Sequence, residues 1–547
     1  MSGDQYDLVI IGGGIHGAAL FWEAASRGVR ALLVEKKDFG WATSANSLKV
    51  IHGGLRSLQA LDLWALRINS LERRALTAIA PHLVAPMACL MPTDSSMTKN
   101  PWTMALGLKV YDALAWDRNH GLDPARYYGS SHLLSADLAA TVLGRFGSDF
   151  RGAASWYDGQ VYHPERLVLA FVMSALQKGG TALNYSRVQS LEVQDAKVTG
   201  VHLYDELTRQ TRHVRANVVA DCSGPWSNLV RAMAPGWHSP KVPFTRAVNL
   251  VVDKQIDDYA VGLKSKDPDK GGRLFFIAPW RHASIIGTWY LPDKDGPDAP
   301  VLAQAELDAM LAEINAVVPS IELRQPDISL IHFGRLPLVS VTGLRLQSKA
   351  RVTHAVSSGG PAGLFTIVGV KFTTARHVAV CAMSKIAPLL HRNPGPSVSH
   401  HTPLYGGAID SIEDYLQHQF DEYVGRYGED VLLRLFRNYG STMDAILMLA
   451  DQQPDWAGPI PGVEDSLNAE LHFVIENEKV VTLNDLILRR TDLGTAGIPA
   501  QETIDHCLSV LAQYKGWGPD ERARQLEALQ NHYPVWCLQP AQETVSA

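Results

Sequence analysis

The sequence predicts an α/β protein with a discontinuous Rossmann-like nucleotide-binding domain, a mostly antiparallel β-sheet substrate domain and a C-terminal all-helical domain. Three observations predict this class. A glycine-rich turn between two strand-like runs opens the chain, short strand-like runs dominate 242–345, and polar helical segments follow a Pro-, Ser- and His-rich linker at 393–403. Because 547 residues exceed one ordinary hydrophobic core, two or three domains are expected.

The first element is a dinucleotide-binding turn. In chain order it comprises a β-branched run at 8–11, Gly12, Gly14 and Gly17 at G-x-G-x-x-G spacing, a helix-compatible stretch at 18–27, a second strand at 29–34, and Glu35. Gly12 permits the tight turn, Gly14 leaves room for phosphates, and Gly17 lets the helix pack against the strand. The helix N-terminus attracts the negative charge. Glu35 can accept hydrogen bonds from a ribose hydroxyl, which favours NAD or FAD over NADP.

The later elements follow from hydrophobic periodicity and turn residues. Helices are predicted at 62–80, 166–178, 302–317, 374–390, 412–428, 430–439 and 467–477. Strands are predicted at 181–193, 200–207 and 211–214, as a three-stranded meander, and at 249–252, 274–277 and 284–288, with buried strands beginning at 217 and 363. The predicted nucleotide-binding domain combines about 1–90, 151–235 and 346–395, the substrate domain about 91–150 and 236–345, and the helical domain 396–547.

Composition and charge exclude several classes of function. Hydrophobic residues make up 46% and charged residues 19% of the chain, as in a globular protein. A net charge of −6 gives no reason to expect a nucleic-acid partner. The five cysteines lie far apart without a C-x-x-C pair, which argues against a disulfide framework or a metal site. Neither a signal-peptide pattern nor an uncharged apolar run of about 18 residues occurs, so we expect a cytoplasmic protein.

One segment leaves contact with a membrane surface open. Residues 101–116 (PWTMALGLKVYDALAW) are apolar, with aromatic residues at both ends and few charges. A helix that lies in a membrane interface has this pattern. A helix that contacts another part of the protein has it too. A homodimer is equally left open by the sequence.

Two further motifs carry candidate catalytic side chains. In the segment 44–56, small residues and a Gly-Gly pair let the chain run close to a flat ligand, while His52 supplies a titratable base and Arg56 a fixed cation. In the segment 369–374, backbone N–H groups that open a helix, together with Lys371, suit the stabilisation of negative charge on a reduced ring. A structural histidine and a solvated surface lysine are the alternative interpretations.

Several motifs in the same order resemble the flavin-dependent glycerol-3-phosphate dehydrogenase family. The matching stretches are VIIGGGIHGAA, TSANSLKVIHGGLRSL, APHL, DGQVYHPERLVLAF, ADCSGPW, PWRHASIIGT and VGVKFTTAR. The block around Glu478, Thr482 and Arg489-Arg490-Thr491 is similar to the family's C-terminal helical domain. The resemblance covers nearly the whole chain, and it implies that 1–395 is an FAD-dependent oxidoreductase region.

The resemblance implies FAD bound in an extended form across the discontinuous domain. The residues expected to bind it are Gly12, Gly14, Ile15, Gly17, Glu35, Lys36, Ser44, Ser47, His52, Gly53, Val188, Gly224, Trp226, Gly369, Lys371, Phe372 and Thr373. It also implies non-covalent binding, although His52 is a conceivable attachment point. Members of the family typically use a quinone as electron acceptor and bind the inner face of the membrane peripherally.

The expected reaction is oxidation of a secondary alcohol to a ketone. The flavin takes a hydride at N5, while His52 takes the hydroxyl proton or orients the group that does. Arg56 would hold the substrate anion or polarise the forming ketone, and Lys371 would favour the anionic reduced flavin. Arg246 and Arg335 are further candidates for the substrate anion. The best single expectation is conversion of sn-glycerol 3-phosphate to dihydroxyacetone phosphate, with a quinone or oxygen taking the electrons.

This chain departs from the family's pattern at several positions. Ser57 replaces a tyrosine, Asn249 a histidine and Tyr290 a carboxylate. The family has an arginine at the position of Leu336, and in this chain the arginine comes one residue earlier, as Arg335. His354 aligns loosely with another arginine of the family. Phe21 replaces a small residue in the first helix. A divergent enzyme for another polyol, hydroxy acid or phosphorylated alcohol is therefore a competing hypothesis. A flavoprotein without turnover is disfavoured, because His52, Arg56 and Lys371 are retained.

Overall fold

The structure, a computed structural model, describes residues 5–97, 99–147, 150–266, 274–293, 296–298 and 302–538. The strands are β1 (Gln5–Ile11), β2 (Ala31–Val34), β3 (Val50–Ile51), β4 (Val84–Pro92), β5 (His132–Leu134), β6 (Ala153–Val161), β7 (Thr181–Leu183), β8 (Ser186–Gln194), β9 (Lys197–Asp205), β10 (Thr211–Asp221), β11 (Phe244–Val252), β12 (Ala260–Lys264), β13 (Leu274–Trp280), β14 (Ala283–Pro292), β15 (Ile328–Ser340), β16 (Arg345–Leu346), β17 (Arg351–His354) and β18 (Leu364–Val368).

The helices occupy the chain between and after these strands. They are α1 (Ile15–Ser26), α2 (Leu63–Ile79), α3 (Pro101–Leu114), α4 (Ala136–Leu143), α5 (Pro164–Gln177), α6 (Ser227–Ala232), α7 (Gln304–Val317), α8 (Ala375–Ile386), α9 (Ile412–Tyr427), α10 (Glu429–Tyr439), α11 (Met443–Gln452), α12 (Asn468–Asn477), α13 (Leu483–Asp485), α14 (Gln501–Lys515) and α15 (Pro519–Gln530). In the described part of the chain, no helix combines the length and apolarity needed to cross a membrane.

The first sheet is the Rossmann-like core. Its strands follow the order β17-β18-β10-β1-β2-β7, and all neighbours from β18 to β7 are parallel. The helices α1, α5 and α8 pack together on this sheet. Because these helices cover one face and the strands β8 and β9 cover the other, β1 and β2 are apolar along most of their length rather than alternating.

The second sheet is mostly antiparallel and carries the opposite wall of the site. Its order is β16-β15-β11-β14-β13-β12-β4-β6-β3, with β5 beside β6. The strands β3, β4 and β6 lie in this sheet, although the predicted segments 1–90 and 151–235 assign β3, most of β4 and all of β6 to the nucleotide-binding domain. The division into domains therefore stays a prediction, with its boundaries crossed by these strands.

The C-terminal part is helical and packs directly on the second sheet. Its core of buried residues from α9 to α15 continues into Trp280, Ile285 and Leu330 of β13, β14 and β15. Residues 539–547 of the predicted helical domain lie outside the described residues. The predicted fold class is confirmed: a Rossmann-like domain, a largely antiparallel sheet and a helical C-terminal part are all present.

Two predicted strands have different boundaries in the structure. The predicted strand 181–193 is two strands, because β7 pairs in parallel with β2 while β8 begins the meander β8-β9-β10. The predicted strands 211–214 and 217–221 are one strand, β10. Its first half pairs with β9 and its second half with β1 and β18, so the strand changes partners without being interrupted by a loop.

Candidate active site

A cavity among the described residues lies between the two sheets. It opens at the carboxyl ends of β1, β2 and β18, where α/β proteins with parallel sheets bind their ligands. Its volume of about 750 Å³ falls within the range of small-molecule sites, roughly 300–1,000 Å³. The predicted site residues that line it are Gly12, Gly14, Ile15, Glu35, Lys36, Ser44, Ser47, His52, Val188, Gly224, Trp226, Arg335, Gly369, Lys371, Phe372 and Thr373. Gly17, Gly53, Arg56 and Arg246 are not among the lining residues.

The glycine-rich turn has the conformation that its sequence predicts. Gly12 has a φ of +103°, in the region that residues with a side chain rarely adopt. A Cβ atom on Gly17 would lie 1.9 Å from the carbonyl oxygen of Gly12, so only glycine lets α1 start this close to β1. The backbone N–H of Ile15 donates to Ser44 Oγ at 2.9 Å, which holds the following loop against the start of α1.

Glu35 fixes this turn as well as facing the cavity. Its Oε2 accepts from the backbone N–H of Gly13 at 2.7 Å, and its Oε1 accepts from Lys37 N–H and from Trp41 Nε1, both at 2.9 Å. Burial raises the pKa of Glu35, while these hydrogen bonds oppose the rise. Because each carboxylate oxygen can accept two hydrogen bonds, Oε2 keeps capacity for a ribose hydroxyl. The ribose contact itself remains a prediction.

Phe21 does not alter the cavity. Its side chain is fully buried in the core around α1, away from the lining residues. A Cβ atom on Gly180 would lie 2.6 Å from the ring of Phe21, so the glycine after α5 makes room for the larger side chain. The substitution is accommodated by core packing rather than by the nucleotide site.

The cavity fits an extended dinucleotide cofactor. The glycine turn exposes the N-terminus of α1, which suits a pyrophosphate. The turn from Gly369 to Thr373 also lines the cavity and leads into the N-terminus of α8. His16 of α1 packs against Gly369 and lines the cavity, and its Nε2 is buried with no hydrogen-bond partner among the described residues. Burial lowers the pKa of His16 to about 4, so the ring is neutral near pH 7.

His52, which lines the cavity, forms a hydrogen-bonded pair with Asp158. His52 Nδ1 lies 3.0 Å from Asp158 Oδ2, and Gly53 N–H donates to Asp158 Oδ1 at 2.6 Å. The register of the second sheet explains the contact. Ile51 of β3 pairs with Gly159 of the antiparallel strand β6, so His52, the next residue, lies opposite Asp158, the preceding residue. Burial would raise the pKa of Asp158, but the hydrogen bond and charge of His52 and the charge of Arg73 hold it below its usual range.

Asp158 was not among the site residues predicted from the sequence, although it lies in the stretch DGQVYHPERLVLAF, which carries part of the family resemblance. An acidic residue inside an otherwise apolar strand, AASWYDGQV, was the available signal. Burial of an unpaired carboxylate is costly, so such a residue points to a specific partner.

Three cations, Lys371, Arg56 and Lys349, lie near one another, and Lys371 lies in the turn beside His52. The backbone N–H of His52 donates to Thr373 Oγ1 at 3.1 Å, which places the Lys371 turn next to it. Burial lowers the pKa of Lys371, and the neighbouring charges of Arg56 and Lys349 lower it further, whereas Asp62 opposes them. Lys349 Nζ lies 2.8 Å from Asp62. Neither Lys349 nor Asp62 was predicted as a site residue, because each lies outside the motifs at 44–56 and 369–374.

The other two predicted substrate arginines are held by carboxylates. Arg335 lines the cavity, but its Nε donates to Asp293 Oδ2 at 2.9 Å, and both side chains are buried. Arg246 is not a lining residue, and its guanidinium donates to Glu306 at 3.1 Å. Their acidic partners come from other elements, so the motif around each arginine could not reveal them.

Two of the pocket positions that depart from the family pattern line the cavity, and three do not. Asn249 and Leu336 line the cavity, and Asn249 Oδ1 accepts from Thr288 Oγ1 at 2.7 Å. Ser57, Tyr290 and His354 do not line it. His354 stacks on Phe365 with ring centroids 4.4 Å apart, and its Nε2 accepts from Gly363 N–H at 3.0 Å. His354 therefore has a structural role in the β17–β18 hairpin.

Comparisons with known proteins agree with this geometry. Residues 7–399 match the FAD dependent oxidoreductase family, and residues 397–522 match the C-terminal domain of alpha-glycerophosphate oxidase. A glycerol-3-phosphate dehydrogenase of Synechocystis sp. is 30% identical over 97% of this chain and 98% of its own length. The chain belongs to the FAD-dependent glycerol-3-phosphate dehydrogenase family. It is a flavin-dependent oxidoreductase, and its cofactor is FAD.

Two relatives of lower sequence identity also match this chain over nearly its whole length. An aerobic glycerol-3-phosphate dehydrogenase of Staphylococcus aureus is 27% identical over 93% of this chain and 90% of its own length. The crystal structure of a glycerol-3-phosphate dehydrogenase from Bacillus halodurans, complexed with FAD, superposes with a TM-score of 0.76. It covers 97% of this chain and 95% of that chain at 24% identity, which establishes the shared fold.

Proposed function

We propose that this family member oxidises a secondary alcohol to a ketone, and that its substrate is sn-glycerol 3-phosphate, which yields dihydroxyacetone phosphate. The observation that carries the proposal is the His52–Asp158 pair next to the Lys371 turn, with the charges of Arg56 and Lys349 close to Lys371. A base next to a cationic group suits a substrate that has a hydroxyl close to an anion. The names of the Synechocystis and Staphylococcus relatives support the same substrate.

Bound FAD supplies an acceptor for the hydride of the alcohol carbon. The protein supplies the base. The hydrogen bond to Asp158 places the proton of neutral His52 on Nδ1, so Nε2 is left with a lone pair for the substrate hydroxyl. His52 is about half exposed, with 48% of its side chain accessible, so a ligand in the cavity can reach it. The Asp158 carboxylate then stabilises the imidazolium that forms.

The cations take the substrate anion. Arg56 is exposed, Lys349 is 57% exposed, and Lys371 is partly buried, so the group combines accessible and desolvated positive charge. Only Asp62, among the groups that act on Lys371, opposes them. A phosphate dianion would lower the repulsion among the three cations, and planar guanidinium groups bind phosphate oxygens well.

A second candidate substrate is an alcohol without a phosphate group, such as another polyol or a hydroxy acid. The ion pairs Arg335–Asp293 and Arg246–Glu306 favour it, because both arginines are already neutralised within the protein. The cations around Lys371 would then bind a substrate with a smaller anionic group than phosphate, or with none. The retained His52–Asp158 geometry disfavours a flavoprotein without turnover.

We further propose a quinone as electron acceptor and a cytoplasmic protein bound peripherally to the membrane. The helix α3 buries only Leu108 and Tyr111, while Trp102, Leu106 and the nearby Trp116 are 66–87% exposed. Exposed aromatic and aliphatic side chains on one helix are typical of an interfacial segment. The helix packs beside the segment 55–60, which contains Arg56, so a lipid-borne acceptor would approach near the site.

The proposed function is tested by steady-state reduction of a water-soluble quinone. The purified holoenzyme is assayed with glycerol 3-phosphate, glycerol and several hydroxy acids at equal concentrations. Turnover with glycerol 3-phosphate at micromolar to millimolar levels, and little with the others, supports the first candidate. Turnover only with an unphosphorylated alcohol would replace it by the second.

A further inference from the structure

Two consecutive arginines of the C-terminal domain converge on one carboxylate of the nucleotide-binding domain. Arg490 Nη1 and Nη2 donate to the two oxygens of Asp38 at 2.6 and 2.8 Å, and Arg489 Nε donates to Asp38 Oδ2 at 2.6 Å. Asp38 is completely buried, and Arg490 is 1% exposed. A bidentate, buried guanidinium–carboxylate pair is a strong and directional contact.

The local fold of the C-terminal domain makes this convergence possible. Residues Leu486–Arg490 form a π-helical turn, a rare conformation that is frequent at functional sites. Asp485 accepts from Arg489 Nη2 at 2.6 Å, and the backbone carbonyl of Glu478 accepts from Arg490 Nε at 2.7 Å. Arg489, Arg490, Asp38 and Asp485 together form a buried group with no net charge. The Arg489-Arg490 motif has no role in the proposed reaction.

Asp38 belongs to a segment that forms one wall of the FAD cavity. We call residues 35–44 the cofactor loop; seven of them line the cavity, namely Glu35, Lys36, Gly40, Trp41, Ala42, Thr43 and Ser44. Glu35 and Gly40 of this loop hydrogen-bond the backbone of Gly13 in the glycine turn, at 2.7 and 3.0 Å. The only other contact of the Asp38 carboxylate among the described residues is a 3.2 Å hydrogen bond from Asn184.

We propose that Arg489 and Arg490 are positioning residues for FAD: through Asp38 they fix the cofactor loop, so that FAD affinity depends on the docked C-terminal domain. The loop contributes hydrogen bonds to the glycine turn at its first residue and to the start of α1 at its last, Ser44. Asp38 lies between these two points and is tied from outside the domain. If the tie loosens, both contacts to the cradle loosen with it.

The test compares two arginine-to-lysine variants of the full-length holoenzyme. R490K keeps the charge but loses the bidentate contact to Asp38. The matched control is R434K, because Arg434 is also buried in the C-terminal domain and also donates from both terminal nitrogens to carboxylates, but these belong to Glu470 and Asp492, and Arg434 does not contact the cofactor loop. The measurements are the rate of FAD release on dilution, followed by flavin fluorescence, and the thermal unfolding midpoint.

We expect R490K to release FAD at least about tenfold faster than the wild type, while its turnover with saturating FAD stays within about twofold. R434K should lower the unfolding midpoint but leave FAD release within about twofold. Equal effects of R490K and R434K on FAD release, or no effect of R490K, would overturn the proposal. If R490K does not accumulate as holoenzyme, R489K carries the same expectation, because Arg489 contributes a single hydrogen bond to Asp38.

Discussion

His52 Nδ1 and Asp158 Oδ2 are 3.0 Å apart, although 106 residues separate them in the chain. The two side chains meet because β3 and β6 are neighbours in the second sheet, with Ile51 opposite Gly159. The contact gives His52 a fixed orientation and a fixed proton on Nδ1. It therefore turns a histidine of a glycine-rich segment into a candidate general base.

Replacing Asp158 with Asn should slow the reaction without removing the cofactor. An amide of similar shape can donate to His52 and favour the wrong tautomer, and general-base contributions are about 10²–10⁴-fold. We expect kcat to fall by at least about tenfold, a small change in KM, and an altered pH profile of kcat. FAD absorbance and stopped-flow kinetics measure these effects. The control is Asp112→Asn, which breaks a pair with Arg118 outside the cavity lining; an equal loss in both variants would contradict the role of Asp158.

Replacing Arg56 with Ala should lower turnover severely while FAD remains bound. Arg56 is one of the cations that act on Lys371, and it lies outside the cavity lining that holds the cofactor. The loss should be largest for phosphorylated substrates, on the order of a few kcal/mol in kcat/KM. Arg524→Ala, which removes a surface arginine of α15, is the control. Full activity in Arg56→Ala would show that the assignment of the anion site is wrong.

Acid should weaken the contact between the C-terminal domain and the cofactor loop. Burial alone would raise the pKa of Asp38, but the charges and hydrogen bonds of Arg490 and Arg489 lower it from 3.8 to about 2. Because the folded-state pKa is depressed, its stabilisation is complete above about pH 4 and is lost as the pH falls toward 2. We expect the difference in unfolding free energy between wild type and Asp38→Asn to narrow across this interval.

Urea unfolding at a series of pH values measures that difference. Asp195→Asn, on an exposed turn, serves as the control and should show no such narrowing. If the difference in unfolding free energy between wild type and Asp38→Asn stays constant from pH 6 to pH 2, Asp38 does not form the ionised pair with the two arginines.

Removing the apolar face of α3 should reduce binding to lipid vesicles. A variant with Trp102, Leu106 and Trp116 all replaced by Ser loses three large exposed side chains, each worth roughly 1.5–3 kcal/mol when fully buried. We expect co-sedimentation with anionic vesicles to fall at least about tenfold, with an unchanged unfolding midpoint. Leu207→Ser, at an exposed turn between β9 and β10, is the control. Unchanged vesicle binding in the triple variant would exclude α3 as the contact.

The nucleotide-binding half of the fold could be predicted because its signals are local. Gly12, Gly14 and Gly17 are required by backbone geometry within a few residues, and the apolar runs of β1 and β2 follow from burial on both faces. The strand boundaries near 181 and 215 were wrong because they depend on partners. There β7 joins β2, and β10 changes neighbours along its length, neither of which is encoded in local periodicity.

The candidate site was predicted only as far as single motifs extend. His52, Lys371 and the glycine turn lie at the cavity as predicted, and their roles remain predictions. Asp158, Lys349 and the carboxylates Asp293 and Glu306 come from elements distant in the chain. The register of the second sheet brings Asp158 to His52, whereas Glu306 reaches Arg246 from the helix α7. An arginine's availability for substrate depends on such partners, which the sequence around Arg335 does not reveal.

The most direct test of the account is anaerobic bleaching of the bound flavin by glycerol 3-phosphate. The holoenzyme is mixed with glycerol 3-phosphate, glycerol and related hydroxy compounds in the absence of oxygen, and the flavin absorbance is followed. The account predicts rapid bleaching by glycerol 3-phosphate at micromolar to millimolar concentrations, which is slowed in Asp158→Asn and Arg56→Ala. Absence of bleaching by every alcohol tested would contradict it.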